Sequence, residues 1–408
     1  MPTSRLTRLL ESTVDALRQS GRLKGAETVV RAIVPPQDGK GPRYLLDSYG
    51  EKLFLRMNSN SYLGLSLDSV LITAEDEAVR QYGTGPGAVR FISGTWAPHV
   101  ALEERLAAFH GREAGMLFSS AYAAVMGVLP SLITDQTAVI SDALNHSCII
   151  NAIALARPAE KRIYQHLDLD ELERHLTQAA NACQRAIIVT DGVFSMRGDH
   201  AHLDRIMKLA SPFDELFAEN VIVIADDSHG VAGFGQTGRG TEEVAEGCKV
   251  DLLIATLGKA FGVNGGYVVA SDTIISYLRE TSPFYVYSNP ITPSEAATAL
   301  AAVNLVDSPE GLRRLNHLRA MTARFREGLT RLGLETIAGR HPVVPLLVRD
   351  TKRTARLVAH LLENGILATG LGYPVVPKGD DEIRFQISAD HTPADIDEAL
   401  AALETFSN

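Results

Sequence analysis

One lysine carries the strongest chemical signal in the sequence. Lys259 lies in TLGKAFGVNGGY (Thr256–Tyr267), directly after a run of apolar residues, so its amine should be partly shielded from water. Desolvation lowers the pKa of a lysine and suits its free amine to Schiff-base chemistry or proton transfer. Glycines such as Gly262 and Gly266 allow tight backbone turns around a bulky group. A lysine after a strand is more often simply solvated. The residues around Lys259 therefore decide whether it is a solvated lysine or a reactive one.

Polar side chains also follow other apolar runs of strand length, where a strand would end. Open α/β sheets bind ligands at the carboxyl ends of their parallel strands, and these ends meet at one edge of the sheet. A single aspartate at a strand end is commonly a helix cap or a turn former. A whole set of such residues instead predicts one shared site. The set comprises Ser119, Ser120, Asp191, Ser195, Asp226, His229 and Thr256, together with Lys259.

The apolar runs themselves indicate the fold class. They are continuous rather than alternating, which predicts strands buried on both faces of a mostly parallel sheet. Helical patterns such as Leu167–Ala180 lie between them, so we predict a doubly wound α/β domain. The predicted strands lie in MLFSS (Met116–Ser120), AVISD (Ala138–Asp142), AIIVTDG (Ala186–Gly192), VIVIADDSHG (Val221–Gly230) and LLIATLGKA (Leu252–Ala260).

The composition and periodicity of the sequence change after Asn289-Pro290, where Ala-rich and Leu-rich helical patterns begin. Strand-like segments follow at Val343–Asp350 and Glu382–Ala389, which predicts a smaller α+β domain. We predict a helical arm and small-domain segment at 1–55, a large domain at 56–290, and a C-terminal small domain at 291–408.

The overall composition excludes several classes of protein. The 408 residues include 39 Lys and Arg against 49 Asp and Glu, and the formal charge of −10 argues against a nucleic-acid or anionic-membrane binder. The cysteines Cys148, Cys183 and Cys248 form no CxxC pair, so we expect neither a disulfide framework nor a structural zinc site. We therefore expect a cytoplasmic protein whose cysteines take no part in its chemistry.

Three common ligand motifs fit the sequence poorly. A Walker loop is absent, and GTGPG (Gly83–Gly87) lacks the spacing and the preceding strand of a dinucleotide fingerprint. Asp226, Asp227 and His229 are metal-ligand types, but no second His or Cys lies nearby at ligand spacing, so we expect no metal. A carboxylate at a strand end can instead pair with a cationic ring nitrogen, as pyridoxal 5'-phosphate (PLP) requires.

Several motifs together resemble the PLP-dependent α-oxoamine synthases of the fold-type I aminotransferase superfamily. Within that family, GYPVVPKG (Gly372–Gly379), TDGVFSM and DALNHSCII are most similar to glycine C-acetyltransferase, also called 2-amino-3-ketobutyrate CoA ligase. The resemblance implies a large PLP-binding domain with a mostly parallel seven-stranded sheet and a smaller α+β C-terminal domain. The motifs are NSYLGL (Asn60–Leu65), VRFISGT (Val89–Thr95), ISDALNHSCII (Ile140–Ile150), TDGVFSMRGD (Thr190–Asp199), ADDSHGVAGFGQTGRG (Ala225–Gly240), TLGKA and QISADHTPADI (Gln386–Ile396).

The resemblance also implies roles for residues around the cofactor ring. Lys259 would hold PLP as a Schiff base and then act on the substrate proton. Asp226 would bond the protonated pyridine nitrogen, while His229 and Ser195 would contact the phenolic oxygen. His146 would stack on the face of the ring. Lys259, Asp226, His229 and His146 are thus the catalytic residues that the resemblance implies.

A second group of residues would hold the cofactor phosphate. The resemblance implies contacts from Ser120, Ala121 and Tyr122 at a helix N-terminus, where unpaired backbone N–H groups favour anions. Thr256 would add a hydroxyl group. Ser288 would reach the phosphate of the neighbouring subunit, so the resemblance implies a homodimer with shared active sites.

The remaining implied roles concern the substrates. Arg384 would clamp the carboxylate of the amino acid bidentately, and Asn60 would lie close by. The implied reaction joins glycine, or another small amino acid, to an acyl-CoA, most simply acetyl-CoA. It would release a 2-amino-3-oxo acid or, after decarboxylation, an α-aminoketone. The alternatives are a longer-chain enzyme such as 8-amino-7-oxononanoate synthase, a PLP aldolase or transaminase, and a non-catalytic scaffold that kept the fold.

Overall fold

Strands and helices alternate along most of the chain in the computed structural model, which describes residues 3–20, 23, 27–373 and 375–406. Pro374 of the GYPVVPKG motif and parts of the predicted N-terminal segment lie outside the described residues. The strands are β1 (Val30–Val34), β2 (Arg43–Leu46), β3 (Leu53–Arg56), β4 (Ala114–Phe118), β5 (Thr137–Asp142), β6 (Glu160–Tyr164), β7 (Arg185–Asp191), β8 (Val221–Asp226), β9 (Leu252–Thr256), β10 (Gly266–Ala270), β11 (Val343–Leu347), β12 (Ile366–Leu367), β13 (Thr369–Leu371) and β14 (Glu382–Gln386). The helices are α1 (Ser4–Gln19), α2 (Ser69–Tyr82), α3 (Ala97–His110), α4 (Ala121–Leu132), α5 (Ser147–Ala156), α6 (Leu169–Ala179), α7 (Leu203–Ala210), α8 (Thr241–Val244), α9 (Asp272–Thr281), α10 (Pro283–Val286), α11 (Pro293–Val306), α12 (Pro309–Arg331), α13 (Thr351–Glu363) and α14 (Pro393–Glu404).

The central element is a seven-stranded sheet in the order β4-β10-β9-β8-β7-β5-β6. Every described pairing in it is parallel except those of β10, which runs antiparallel to both β4 and β9. The five predicted strands correspond to β4, β5, β7, β8 and β9, so the mostly parallel sheet is confirmed. The sequence prediction missed β6, an edge strand with polar residues, and β10, which follows directly after glycines.

Helices cover both faces of this sheet, as a doubly wound α/β domain requires. Successive residues of β7 face opposite sides: Ile187 packs in the core under α4 and α5, and Ile188 packs in the core of the other face. Val125 of α4 and Ile149 of α5 are both fully buried on the first side. Because both faces are covered, we expect ligands to reach this sheet at its strand ends.

A smaller C-terminal domain is built on a three-stranded antiparallel sheet in the order β11-β14-β13. A third sheet, β1-β2-β3-β12, joins the N-terminal segment to the C-terminal part of the chain through parallel pairing of β3 and β12. Helix α11 packs against α2 and α3 of the large domain, although the prediction placed it after the boundary. The exact boundaries at 55/56 and 290/291 stay a prediction.

The N-terminal arm contains the amphipathic helix α1. None of its side chains is buried, and Leu6, Leu10 and Val14 are exposed. Across the described ranges, no helix combines the length and the apolarity needed to cross a membrane.

Candidate active site

A cavity of about 240 Å³ opens beyond the carboxyl ends of β7, β8 and β9. The parallel register of these strands brings together side chains that are far apart in the sequence. All nine residues that were expected to surround the cofactor within one chain line this cavity. Its lining is Ser120, Ala121, Tyr122, His146, Cys148, Asp191, Val193, Ser195, Asp226, Ser228, His229, Thr256 and Lys259.

Two buried carboxyl groups lie side by side on the cavity floor. Asp191 and Asp226 are paired residues of β7 and β8, and both end their strands. The backbone N–H of His146 donates to Oδ2 of Asp191 at 3.1 Å. Burial raises the pKa of Asp191 well above its ordinary value, and the neighbouring Asp226 raises it further. The sequence marked Asp191 as a strand-end acid without giving it a role.

Lys259 lies in the turn after β9, on the edge of the cavity. Thr256 shapes this turn, because its Oγ1 accepts a hydrogen bond from the N–H of Gly258 at 3.0 Å. Among the described residues, the amine of Lys259 has no hydrogen-bond partner. Burial lowers the pKa of Lys259 to about 8, and the attraction of Asp226 and Asp191 only partly opposes this. At pH 7 about a tenth of the amine is therefore uncharged and nucleophilic, far more than for an ordinary lysine.

His229 is held by a tyrosine that the sequence prediction missed. The hydroxyl oxygen of Tyr62 lies 2.7 Å from Nδ1 of His229, and both side chains are buried. The carbonyl oxygen of His229 also lies 2.9 Å from Nε2 of His341. Burial lowers the pKa of His229 well below its ordinary value, and the positive charge of Lys259 adds to this. The imidazole is therefore neutral at physiological pH.

Cys148 lines the cavity, and the expectation that the cysteines take no part in the chemistry stays a prediction. Its Sγ lies 2.9 Å from Nδ1 of His146 and 3.7 Å from Oδ2 of Asp226. His146 precedes helix α5, and its side chain accepts a hydrogen bond from the N–H of Cys148. Burial lowers the pKa of His146 and raises the pKa of the Cys148 thiol. The thiol therefore stays protonated beside the carboxylate.

The N-terminus of α4 forms the opposite end of the cavity. Ser120 caps this helix, because its Oγ accepts a hydrogen bond from the N–H of Ala123 at 3.0 Å. The first N–H groups of a helix have no acceptor within it and attract anions such as phosphate. A Cβ atom on Gly266 would lie 2.2 Å from the backbone nitrogen of Ala121, so β10 approaches closely enough to require glycine there.

These features fit the chemical groups of PLP. The helix N-terminus suits the phosphate, the amine of Lys259 suits the aldehyde, and the carboxylate of Asp226 suits a protonated pyridine nitrogen. The hydroxyl oxygen of Ser228 is buried in the lining and has no partner in the described structure, so it is free to bond a bound group. No cluster of His, Cys, Asp and Glu in the described ranges could hold a metal ion.

The three remaining predicted residues lie outside the cavity lining. Nη1 of Arg384 donates to the carbonyl oxygen of Ser195 at 3.1 Å, which places Arg384 at the edge of the site. Oδ1 of Asn60 accepts a hydrogen bond from Nε2 of Gln386 at 2.8 Å. Ser288 bonds the carbonyl oxygen of Asn289 at 3.4 Å and does not reach the cavity of its own chain. The implied roles of all three stay predictions.

A sheet of this topology, with a lysine after β9 and an aspartate at the end of β8, is the frame of a fold-type I PLP enzyme. Residues 53–403 match the family described as aminotransferase class I and II. The chain therefore belongs to this family and, within it, to the PLP-dependent α-oxoamine synthases, which are acyltransferases. PLP is its cofactor, as the sequence predicted.

Similar proteins support this assignment over almost the whole chain. The 8-amino-7-oxononanoate synthase of Geobacter sulfurreducens is 38% identical over 98% of this chain and 97% of its own. The corresponding enzyme of Thermosipho melanesiensis is 37% identical over 93% of this chain and 94% of its own. The structure of a Sphingomonas wittichii serine palmitoyltransferase is 25% identical with a TM-score of 0.85, covering 99% of this chain and 97% of its own. None of these names singles out glycine C-acetyltransferase.

Proposed function

We propose that this enzyme joins the α-carbon of a small amino acid to the acyl carbon of a thioester and releases carbon dioxide. The relatives named 8-amino-7-oxononanoate synthase, 37% and 38% identical across nearly the full length, carry this proposal. Their product has an amine next to a ketone. Alanine that has lost its carboxyl group accounts for the amine carbon and its methyl group. The rest of the product is a seven-carbon acyl group with a carboxylate at its far end.

The proposed reaction makes one carbon–carbon bond and breaks two bonds between heavy atoms, in the following order. The α-carbon of the amino acid loses a proton and attacks the thioester carbonyl, so a carbon–carbon bond forms and the carbon–sulfur bond breaks. The thiolate leaves and takes up a proton. The bond to the carboxylate then breaks, carbon dioxide leaves, and a proton replaces it on the α-carbon. The products are an α-aminoketone, free thiol and carbon dioxide.

Lys259 is the proposed base for the α-proton. Bound PLP supplies the electron sink that makes this proton acidic. The lowered pKa of Lys259, about 8, leaves enough uncharged amine at neutral pH to accept the proton. Asp226 would keep the pyridine nitrogen protonated, and His146 would lie against the ring.

The other predicted residues would orient the cofactor and the amino acid. His229 and Ser195 would bond the phenolic oxygen. Arg384 would bind the carboxylate of the amino acid, beside Asn60. The phosphate would lie at the N-terminus of α4 with Ser120, Ala121, Tyr122 and Thr256, and Ser288 would serve the second site of a homodimer. Ser288 lies outside its own cavity, which favours this last role.

The mass of the product tests the proposal directly. Purified enzyme is incubated with alanine, glycine or serine and with acyl-CoA thioesters from acetyl to decanoyl. We expect free thiol and an α-aminoketone that has lost the carboxyl group, with alanine and a longer donor exceeding glycine and acetyl-CoA. A preference for glycine and acetyl-CoA with the carboxyl group retained would instead support glycine C-acetyltransferase.

A further inference from the structure

A second cavity, of about 200 Å³, lies beside the cofactor cavity and shares Ser195 with it. Arg384 marks the border, because its Nη1 bonds the carbonyl oxygen of Ser195. A substrate chain that extends past Ser195, away from the reacting carbons, would enter this second space. We call it the Glu382 cavity, and its apolar lining includes Leu144, Phe194, Met196, Ile337 and Leu347.

The wall of the Glu382 cavity contains a buried carboxyl group without a partner. Glu382 is 2% exposed, and within the described ranges its Oε1 has no hydrogen-bond partner. It stands two residues before Arg384 on β14, so both side chains leave the same face of the strand. Burial raises the pKa of Glu382 to about 8, and Arg384 and Arg197 only partly oppose this. An unpaired buried polar group is costly, so a ligand that bonds it is favoured.

The other charged groups of the Glu382 cavity do not favour an anion. Nε of Arg197 already donates to Oδ2 of Asp199 at 2.8 Å. Nη2 of Arg349 already donates to Oε1 of Glu335 at 2.5 Å. Asp380 adds a further carboxylate to the lining. Because both lining arginines have acidic partners, a carboxylate entering this cavity would find no free guanidinium in the lining and would face Asp380.

We propose that the Glu382 cavity binds the chain of the acyl donor and that Glu382 bonds a hydroxyl group on that chain. This inference rests on the proposed function and names its donor class: a thioester whose otherwise apolar chain carries a hydroxyl group. A chain that ends in a carboxylate is disfavoured. The enzyme would thus share the reaction of its 8-amino-7-oxononanoate synthase relatives and differ from them at the far end of the donor.

Three donors of equal length test this inference with alanine as the fixed amino acid. They are heptanoyl-CoA, 7-hydroxyheptanoyl-CoA and 6-carboxyhexanoyl-CoA, and kcat/KM is measured by thiol release. We expect the hydroxylated donor to exceed heptanoyl-CoA by about tenfold and the carboxylated donor to be the poorest. Glu382→Leu should abolish the advantage of the hydroxyl group. Asp380→Asn, which removes an acidic side chain from the lining, should raise the carboxylated donor about threefold relative to heptanoyl-CoA.

The controls separate this inference from the proposed function. Glu173→Gln, on the exposed surface of α6, should leave all three ratios unchanged. For any variant that loses turnover, calorimetry compares the dissociation constants of S-heptyl-CoA and S-(7-hydroxyheptyl)-CoA, which bind without reacting. The ratio of these two constants then replaces the ratio of the kcat/KM values. If the enzyme releases thiol but Glu382→Leu leaves the ratios of kcat/KM between the three donors unchanged, the inference is wrong and the proposed function stands. A change in the serine-to-alanine preference of Glu382→Leu also overturns it, because the cavity would then hold the amino-acid side chain. Failure of every donor overturns the proposed function together with the inference.

Discussion

The hydroxyl oxygen of Tyr62 lies 2.7 Å from Nδ1 of His229, across 167 residues of sequence, and both side chains are buried. This contact connects a loop before α2 to the turn after β8. It fixes the orientation of the His229 ring and decides which ring nitrogen faces the cofactor cavity. Tyr62 is therefore part of the site although it does not line the cavity.

Tyr62→Phe should lower kcat/KM for thiol release about tenfold, because His229 loses the bond that orients it. The pH midpoint of the visible absorbance of the bound cofactor should also shift, since His229 is proposed to bond the phenolic oxygen. Tyr277→Phe removes a hydroxyl group that bonds the carbonyl oxygen of Ser131 on the exposed surface, so it serves as the control. Equal activity and an unchanged absorbance titration in both variants would contradict the role of Tyr62.

The reactivity of Lys259 should depend on pH with a midpoint near 8. Only the uncharged amine can attack the aldehyde of PLP, and burial lowers the pKa of Lys259 to about 8. Capture of PLP by the cofactor-free enzyme, followed by absorbance, should therefore accelerate as the pH rises from 7 to 9 and then level off. A midpoint near the ordinary lysine value of about 10.4 would show that the amine is not desolvated.

Gly266→Ala should weaken the affinity for PLP by about tenfold or more. The new Cβ would lie 2.2 Å from the backbone nitrogen of Ala121 and would displace the N-terminus of α4 from the cavity. Fluorescence titration of the cofactor-free enzyme with PLP measures this change. Gly85→Ala is the matched control, because no heavy atom lies within 4 Å of the added Cβ. If both variants bind PLP as tightly as the wild type, the close approach of β10 is not needed.

His166 should stabilise the fold in a pH-dependent way. Burial lowers its pKa, but hydrogen bonds to Asp142 at 3.0 Å and Asp199 at 3.2 Å outweigh burial and raise the pKa to about 9. Because the folded-state pKa exceeds the unfolded value of about 6.5, the stabilisation is complete below that pH. It is lost as the pH rises through 9.

Urea unfolding of His166→Gln checks this linkage. The variant should be less stable than the wild type by about 1–3 kcal/mol at pH 6.5, and this difference should shrink above pH 9. A difference that stays constant between pH 6.5 and pH 10 would show that the charge of His166 contributes nothing.

Much of the site was predictable because it follows from local patterns. Lys259, Asp226 and His229 each follow a continuous apolar run, and parallel strands bring such positions to one edge. Tyr62 and Glu382 were not predictable in the same way. Tyr62 lies in a loop without periodicity, and its partner is set only by the tertiary fold. Glu382 belongs to a strand that the sequence identified, but its burial depends on how that strand meets the large domain.

In the fold, too, some strands could be identified from their own residues, whereas other features depend on how the strands pair. The buried strands β7, β8 and β9 were identified by their apolar residues. The edge strand β6 was missed because its residues Glu160, Lys161 and Arg162 are polar and only Tyr164 is fully buried. The antiparallel direction of β10 is set by pairing with β4 and β9 and leaves no sign in the sequence.

The stoichiometry of the reaction with alanine that carries carbon-13 in its carboxyl group tests most directly whether Lys259 drives a decarboxylating condensation. The wild-type enzyme and Lys259→Ala are each given this alanine with heptanoyl-CoA, and Lys208→Ala, at an exposed lysine of α7, is the control. We predict equal amounts of free thiol and labelled carbon dioxide from the wild type and the control, only when both substrates are present. Lys259→Ala should be slower by about a hundredfold or more. Thiol release without alanine, or a keto acid formed from alanine without the thioester, would contradict the proposed reaction.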